Sequence, residues 1–240
     1  MRISVVIPAH NEANSIGDIV RHCKQHCDEI IVVDDGSTDE TSVVARAAGA
    51  TVIQNKVNLG VVKSTEIGLK FASGDIVVTL DADGQHDPSQ IPSVVQPIIH
   101  GLADLVLGRR DTGRPLSERA IARVVNLRLK CNDVGTGYRA FRRELAHVIR
   151  FRGFCLCGSL VLEAARLGAR VAEVPIATRP RRFGRSHWHT SVSRARIHFK
   201  QTIFVLWVLL ESLSDRCCPR RPGSLSVPLE KAYLLKARVN

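Results

Sequence analysis

The chain has 240 residues, 45% of them hydrophobic and 24% charged, which suits one folded α/β domain and excludes wholesale disorder. Its seven cysteines are scattered and lack the paired spacing and histidine partners of a zinc site, so free thiols in a reducing compartment are expected. The net charge of +11 is uneven: residues 1–108 hold 7 Lys/Arg against 14 Asp/Glu, or −7, and residues 109–240 hold 27 against 9, or +18.

An acidic half beside a basic half suggests a metal or sugar site on one and an anionic partner on the other. Nucleic acid is not expected, because aromatic residues are only 5% and no binding module is legible. Anionic lipid head groups or phosphates fit the basic half.

Met1-Arg2 leads straight into Ile3–Ile7, a β-branched run stopped by Pro8, so no targeting segment is expected. Continuous apolarity of this kind reads as a strand covered on both faces. Asn14 or Ser15 can cap a helix to about His26. Glu29–Val33 is a second strand, followed by Asp34-Asp35-Gly36-Ser37. Thr38 or Asp39 then caps a helix through Ala48, closed by Gly49. Residues 50–53 form a third strand, 62–71 a helix and 75–80 a fourth strand. Pro88, after Asp87, opens another helix. Strand–helix alternation at this spacing predicts a doubly wound parallel sheet, with ligands beyond the carboxyl ends of the strands.

From Arg109 the texture changes to basic helices and loops. Residues 133–141 are a turn-rich patch leading into a strand, 160–167 a helix closed by Gly168, and 172–176 a strand. A basic loop spans Arg179–His187. Ile203–Leu210 is an apolar run too short for a bilayer crossing, which needs about 20 residues. Residues 188–215 are read as one helix that lies in a membrane interface or packs on protein, and 216–240 as a loose basic tail.

Asp81-Ala82-Asp83 is the strongest chemical signal. Residues two apart at a strand end face the same way and can converge on one hard cation, Mg²⁺ or Mn²⁺. Gln85, one alternation on, could add an amide oxygen. Asp34-Asp35 also follows an apolar strand, with Asp34 the more structural of the two, so at least four carboxylates would cluster on one sheet edge. Their repulsion calls for a cation or hydrogen-bond donors. There is no G-x-G-x-x-G turn after the first strand and no Gly-Lys pair anywhere, so neither a dinucleotide fingerprint nor a phosphate loop is present.

The segments Ile-Pro-Ala-His-Asn-Glu (7–12), Val-Val-Asp-Asp-Gly-Ser-Thr-Asp (32–39), Asn-Leu-Gly (58–60), Ala-Ser-Gly-Asp (72–75), Asp-Ala-Asp-Gly-Gln-His-Asp-Pro (81–88) and Gly-Thr-Gly-Tyr-Arg-Ala-Phe (135–141) follow one another in this order. In that order the chain resembles the family 2 glycosyltransferases, nearest the dolichyl- or polyprenyl-phosphate mannosyl/glucosyltransferase branch, over about residues 3–187. The resemblance implies a GT-A domain at 1–187, with a nucleotide-sugar-binding half (1–108), an acceptor half (109–187) and a basic C-terminal extension. It implies that Pro8, His10, Glu12, Val33 and Asp35 line the nucleoside pocket, that Asp81, Ala82 and Asp83 meet the donor's sugar and metal, and that Gln85 stands beside the metal. Arg110 and Arg139 would meet phosphate groups, and the loop around Arg182–His187 would close over the diphosphate.

The activity implied is metal-dependent, inverting transfer of a hexose from a nucleoside diphosphate sugar, of the GDP-mannose or UDP-glucose type, to a lipid phosphate. A homo-oligomer or a membrane-protein partner, and a cytoplasmic location at the membrane face, go with that reading. Three alternatives stay open: transfer to a hydroxyl, a nucleotidyltransferase, and a non-catalytic nucleotide-sugar binder. Several residues depart from the family pattern, namely His10 for Tyr, Val61-Val62 for Lys-Gly, Ser159 for an acid and His187 for Lys. The stretch between Asn126 and Asp133 is also shorter than usual.

Overall fold

The computed structural model describes residues 1–111, 114–151, 153, 156–181 and 191–214, with backbone only at 191–195, 209 and 211–214. Arg182, His187 and the 216–240 tail lie outside the described residues.

The strands are β1 (Ile3–Ala9), β2 (Glu29–Asp34), β3 (Thr51–Gln54), β4 (Ile76–Thr79), β5 (Leu105–Arg110), β6 (Arg139–Arg142) and β7 (Val171–Ile176). They form one sheet in the order β3-β2-β1-β4-β6-β5-β7, parallel throughout except for β6, which is antiparallel to β4 and β5. The helices are α1 (Ala13–Cys23), α2 (Thr41–Ala47), α3 (Val61–Phe71), α4 (Ile91–Ile99), α5 (Leu116–Val125), α6 (Arg143–Val148), α7 (Ser159–Arg166) and α8 (Ser191–Ser214).

The middles of β1, β2 and β4 are apolar at successive positions because both faces of the sheet are covered there. Val5 and Ile7 pack with Ile16 and Ile19 of α1 and with Val94 of α4. Val6 and Val33 turn the other way, into a second core with Leu69 of α3, Ile121 of α5 and Val205 of α8. Burying each such side chain contributes about 1.5–3 kcal/mol. A charge at Val6 would break the second core without touching the first.

Several local expectations change. β1 runs through Pro8 to Ala9, because Pro8 shares the orientation of Val6, whose carbonyl accepts from Leu80 N where β4 ends. Proline cannot donate the next bond of that ladder, and the pairing with β4 stops there. α1 starts after Glu12 rather than at Asn14 or Ser15, and the Ser15 hydroxyl instead bonds Glu12 and the Ala82 carbonyl. β5 joins the sheet although its sequence was read only as the end of the first half. Asp87 accepts from Ser89 N in the 3-10 turn at Pro88–Gln90, as expected, whereas the N-cap position of α2 falls on Glu40 and Asp39, one residue ahead, accepts from Thr41 N. Cys23, Cys27 and Cys131 carry free thiols, and burial pushes Cys27 up to about 11.

Candidate active site

The carboxyl ends of β1, β2 and β4 bring the His10–Glu12, Asp34–Asp35 and Asp81–Asp83 segments to one edge of the sheet. Beyond β4, Asp83 accepts from Gln85 N at 3.0 Å, an internal turn closed by Gly84 at φ 75°. The Asp81 carboxylate lies 3.5 Å from Nδ1 of His86, a buried ring stacked at a tilt on Tyr138, 5.3 Å between centroids. Gly137 backs the Asp81 carboxylate, leaving the room a side chain would fill, and its carbonyl accepts from Thr79 Oγ1 at 2.8 Å. Burial, together with the neighbouring Asp81 charge, pushes the Asp83 carboxyl above its ordinary range, against the pull of Gln85 N–H, His86 and Arg181.

Among the described residues, Arg181 brings a positive charge into this cluster. The Arg181 guanidinium bonds Glu12 Oε1 with one nitrogen and lies 3.4 Å from Asp83 Oδ2 with the other. Glu12 is buried, accepts from Ser15 Oγ at 2.9 Å, and is also held above the usual carboxylate range, chiefly by burial. Sequence reasoning pointed to the loop from Arg182 onward and passed over Arg181. The charge excess of the Arg179–His187 segment was visible, but the residue in it that reaches Asp83 was not.

Asp34 and Asp35 are spent on the fold. Asp34 takes Ser37 N and the Ser42 hydroxyl. Asp35 takes Asn55 Nδ2 at 3.0 Å, Leu59 N at 2.8 Å and Gly60 N at 2.8 Å, which pins the turn before α3. His10 Nδ1 lies 2.9 Å from the Asp35 carbonyl, so its ring sits over the end of β2. Pro8 is half-buried, while Val33 is wholly in the core.

Ala82 is buried and serves through its carbonyl, which accepts from Ser15. The Gln85 amide nitrogen reaches towards the Arg179 carbonyl at 3.5 Å. Two expected phosphate-binding arginines are engaged elsewhere. Arg110 donates from Nε and Nη2 to both oxygens of Asp133 at 2.8 Å and from Nη2 to Glu118. Burial would lower its affinity for a proton, but Asp133 and Glu118 outweigh that and hold it firmly charged. Arg139 is fully buried on β6, with Nη2 3.4 Å from the Leu156 carbonyl, because its side chain turns into the core beneath α7. Donor atoms of Glu118, Cys157 and His198 gather within 4.8 Å of one another, but Arg110 already neutralises that carboxylate.

The donor set at Asp81 and Asp83 fits a hard divalent cation. Two carboxylates share the end of one strand, and burial makes ionisation of Asp83 costly unless positive charge is supplied.

Comparison with known proteins agrees with this fold. The family model described as Glycosyl transferase family 2 matches residues 4–150. An uncharacterized protein of Methanocaldococcus jannaschii is 30% identical over 82% of this chain and 90% of its own length. The UDP-N-acetylglucosamine–dolichyl-phosphate N-acetylglucosaminyltransferase of Methanococcus voltae is 31% identical over 73% of this chain and 85% of its own. Among solved structures, glucosyl-3-phosphoglycerate synthase of Mycobacterium tuberculosis, in complex with Mn²⁺, UDP and phosphoglyceric acid, superposes with a TM-score of 0.69 at 27% identity, over 92% of this chain and 80% of that one. Fold, carboxylate-lined strand ends and sequence kinship converge, and the chain belongs to glycosyl transferase family 2.

Proposed function

We propose that this glycosyltransferase moves a sugar from a nucleoside diphosphate sugar, of the UDP type, to a polyprenyl or dolichyl phosphate, with inversion and with Mg²⁺ or Mn²⁺. The observation that carries the reading is the Asp81–Asp83 pair at the end of β4, with Asp83 made less acidic by burial and by Asp81. The named relative from Methanococcus voltae uses a dolichyl phosphate, and an undecaprenyl-phosphate 4-deoxy-4-formamido-L-arabinose transferase from Salmonella paratyphi B is 27% identical over 78% of this chain and 62% of its own length. Both support a lipid-phosphate acceptor, and the UDP complexes of the mycobacterial enzyme support the donor and the metal.

In this scheme a phosphate oxygen of the lipid forms the new bond to the anomeric carbon as the bond from that carbon to the diphosphate breaks. The lipid phosphate is already ionised at neutral pH, so no strong base is needed. Asp81 and Asp83 would hold the cation, which when bound neutralises charge on the departing diphosphate. Arg181, poised between Glu12 and Asp83, meets the same diphosphate. Alignment of the donor falls to the turns after β1 and β2. Residues 1–108 form the donor half, 109–187 the acceptor half, and the enzyme works at the cytoplasmic membrane face.

Transfer to a hydroxyl is the second reading, favoured by the glucosyl-3-phosphoglycerate complex among the structural relatives. Against it, Ser159 stands where the family usually has an acid; it is buried and accepts from Gln201 Nε2 at 3.1 Å. The test offers radiolabelled UDP- and GDP-sugars with Mn²⁺ to polyprenyl phosphate. Label in a chloroform-extractable, mild-acid-labile product is expected. Label confined to water-soluble glycosides would replace this reading with the hydroxyl one.

A further inference from the structure

α8 is a 24-residue helix, about 36 Å long. Its inner face is buried: Val205 and Val208 join the core, and Gln201 bonds the Cys157 carbonyl and Ser159 ahead of and within α7. Its outer face is apolar and open to solvent. Phe199, Ile203, Leu206, Trp207 and Leu210 are 41–68% exposed and recur at the three- and four-residue spacing that puts them on one stripe. A stripe of large apolar side chains is costly in water unless something covers it.

Charge says what covers it. Residues 116–130 and 191–210 hold seven Lys/Arg and one acid, Glu118, which Arg110 already neutralises. Arg119 and Arg123 on α5, and Arg196 and Lys200 on α8, are exposed. A two-fold contact with a second copy would set this patch against itself and bring like charges together. An anionic lipid leaflet complements it instead, with the apolar stripe at the acyl boundary and the cations among the head groups. No described helix is long and apolar enough to cross a membrane, and the inner face of α8 is held by the protein. The helix therefore offers one face only.

We propose that α8 lies along an anionic phospholipid surface through Phe199, Ile203, Leu206, Trp207 and Leu210, flanked by the cations of α5 and α8. The position suits the lipid-phosphate reading, on which its purpose rests. Ser117 Oγ, in the first turn of α5, lies 2.6 Å from His198 Nδ1, and Glu118 beside it meets Arg110 at the end of β5. The lipid-facing helix is thereby tied to the sheet edge that carries the acceptor half.

The test is flotation of the full chain with phosphatidylcholine vesicles, with and without phosphatidylglycerol, and the same with the Ile203→Glu/Trp207→Glu variant. The expected result is binding that depends on phosphatidylglycerol and falls about tenfold or more in the variant. Transfer to a short soluble acceptor such as citronellyl phosphate should be unchanged, and that readout also shows that the variant folds. Absence of binding by the unaltered chain, or equal binding by the variant, overturns the proposal. So does a dimer in solution that the substitutions split without any vesicle binding. Vesicle binding with no transfer to any prenyl phosphate would instead sink the lipid-phosphate reading and leave the docking face standing.

Discussion

Gly137 and Asp81 occupy adjoining space: a Cβ on Gly137 would overlap both oxygens of the Asp81 carboxylate. The Asp81 side chain is 42% exposed, so it can rotate outward at little cost to the fold. Gly137→Ala is therefore expected to lower kcat/KM about 100-fold through misplacement of the carboxylate. Its melting temperature should change little. A variant that keeps full activity would show that Asp81 does not work from the position observed.

Asp83 stores strain of an electrostatic kind. Its folded-state pKa lies above the ordinary value, so ionisation costs the folded state stability as pH rises between the two. Asp83→Asn is expected to stabilise the metal-free protein at pH 7 by about 1 kcal/mol, a rise in Tm of about 2–4 °C. The same change should abolish metal-dependent transfer. A lower Tm would mean that the carboxylate contributes more by its hydrogen bond to Gln85 N than it costs.

Arg181 lowers the proton affinity of both Glu12 and Asp83. Without that charge both carboxyls hold their protons to higher pH. Arg181→Ala should move the acidic limb of the kcat/KM profile upward and raise the donor KM about tenfold or more. Arg181→Lys should restore the limb but only part of the KM, since an ammonium cannot fork between two carboxylates. An unmoved limb in Arg181→Ala would detach Arg181 from the site.

Among the described residues, two ion-pair centres beside β5 contribute to the acid limit of stability. Asp133, bonded to Arg110, and Asp104, bonded to Arg170 and Arg142, are pushed up by burial, but their arginines outweigh this and hold both carboxyls below the usual range. Such groups stabilise the fold above the unfolded carboxylate pKa of about 4 and lose that contribution as pH falls through the lower folded values. Thermal melting should therefore be flat near neutrality and fall steeply below about pH 4. Asp104→Asn should flatten that fall. An unchanged slope would exclude the Asp104 pairing as its source.

Asp133→Ala strands the buried Arg110 charge with Glu118 alone. A loss of about 3–5 kcal/mol is expected in denaturant titration. A loss under 1 kcal/mol would mean that water or Glu118 makes good the missing partner.

The first four strands were legible because Ile3–Ile7, Glu29–Val33 and their successors are β-branched runs closed by turn residues, and tertiary packing did not contradict them. The Asp81–Asp83 pair was legible for the same reason, since strand-end geometry follows from the run before it. β6 was read only as a strand after a turn-rich patch, and nothing local marks it as antiparallel. Its place is set by pairing with Ile76–Thr79 and Leu105–Leu107, far away in the chain. Arg110 illustrates the limit best. The family resemblance implied phosphate binding for it, but its partners Asp133 and Glu118 lie 23 and 8 residues away and only the fold brings them to it. Arg181 was hidden among equals, because a basic loop does not declare which guanidinium turns inward.

The place of β6 has a consequence for how the chain assembles during synthesis. β2, β3 and β4 each find a neighbour that has already been made, since β2 and β4 flank β1 and β3 follows β2 at the edge. β5 finds none: both its neighbours, β6 and β7, are still to come. The first four strands of the nascent chain can thus close early, while the open edge of β4 waits for Arg139–Arg142, exposed to mispairing. Gly137 arrives with β6, which seals that edge, and Arg181 only after β7, so the emerging protein completes its carboxylate cluster only after the risk has passed.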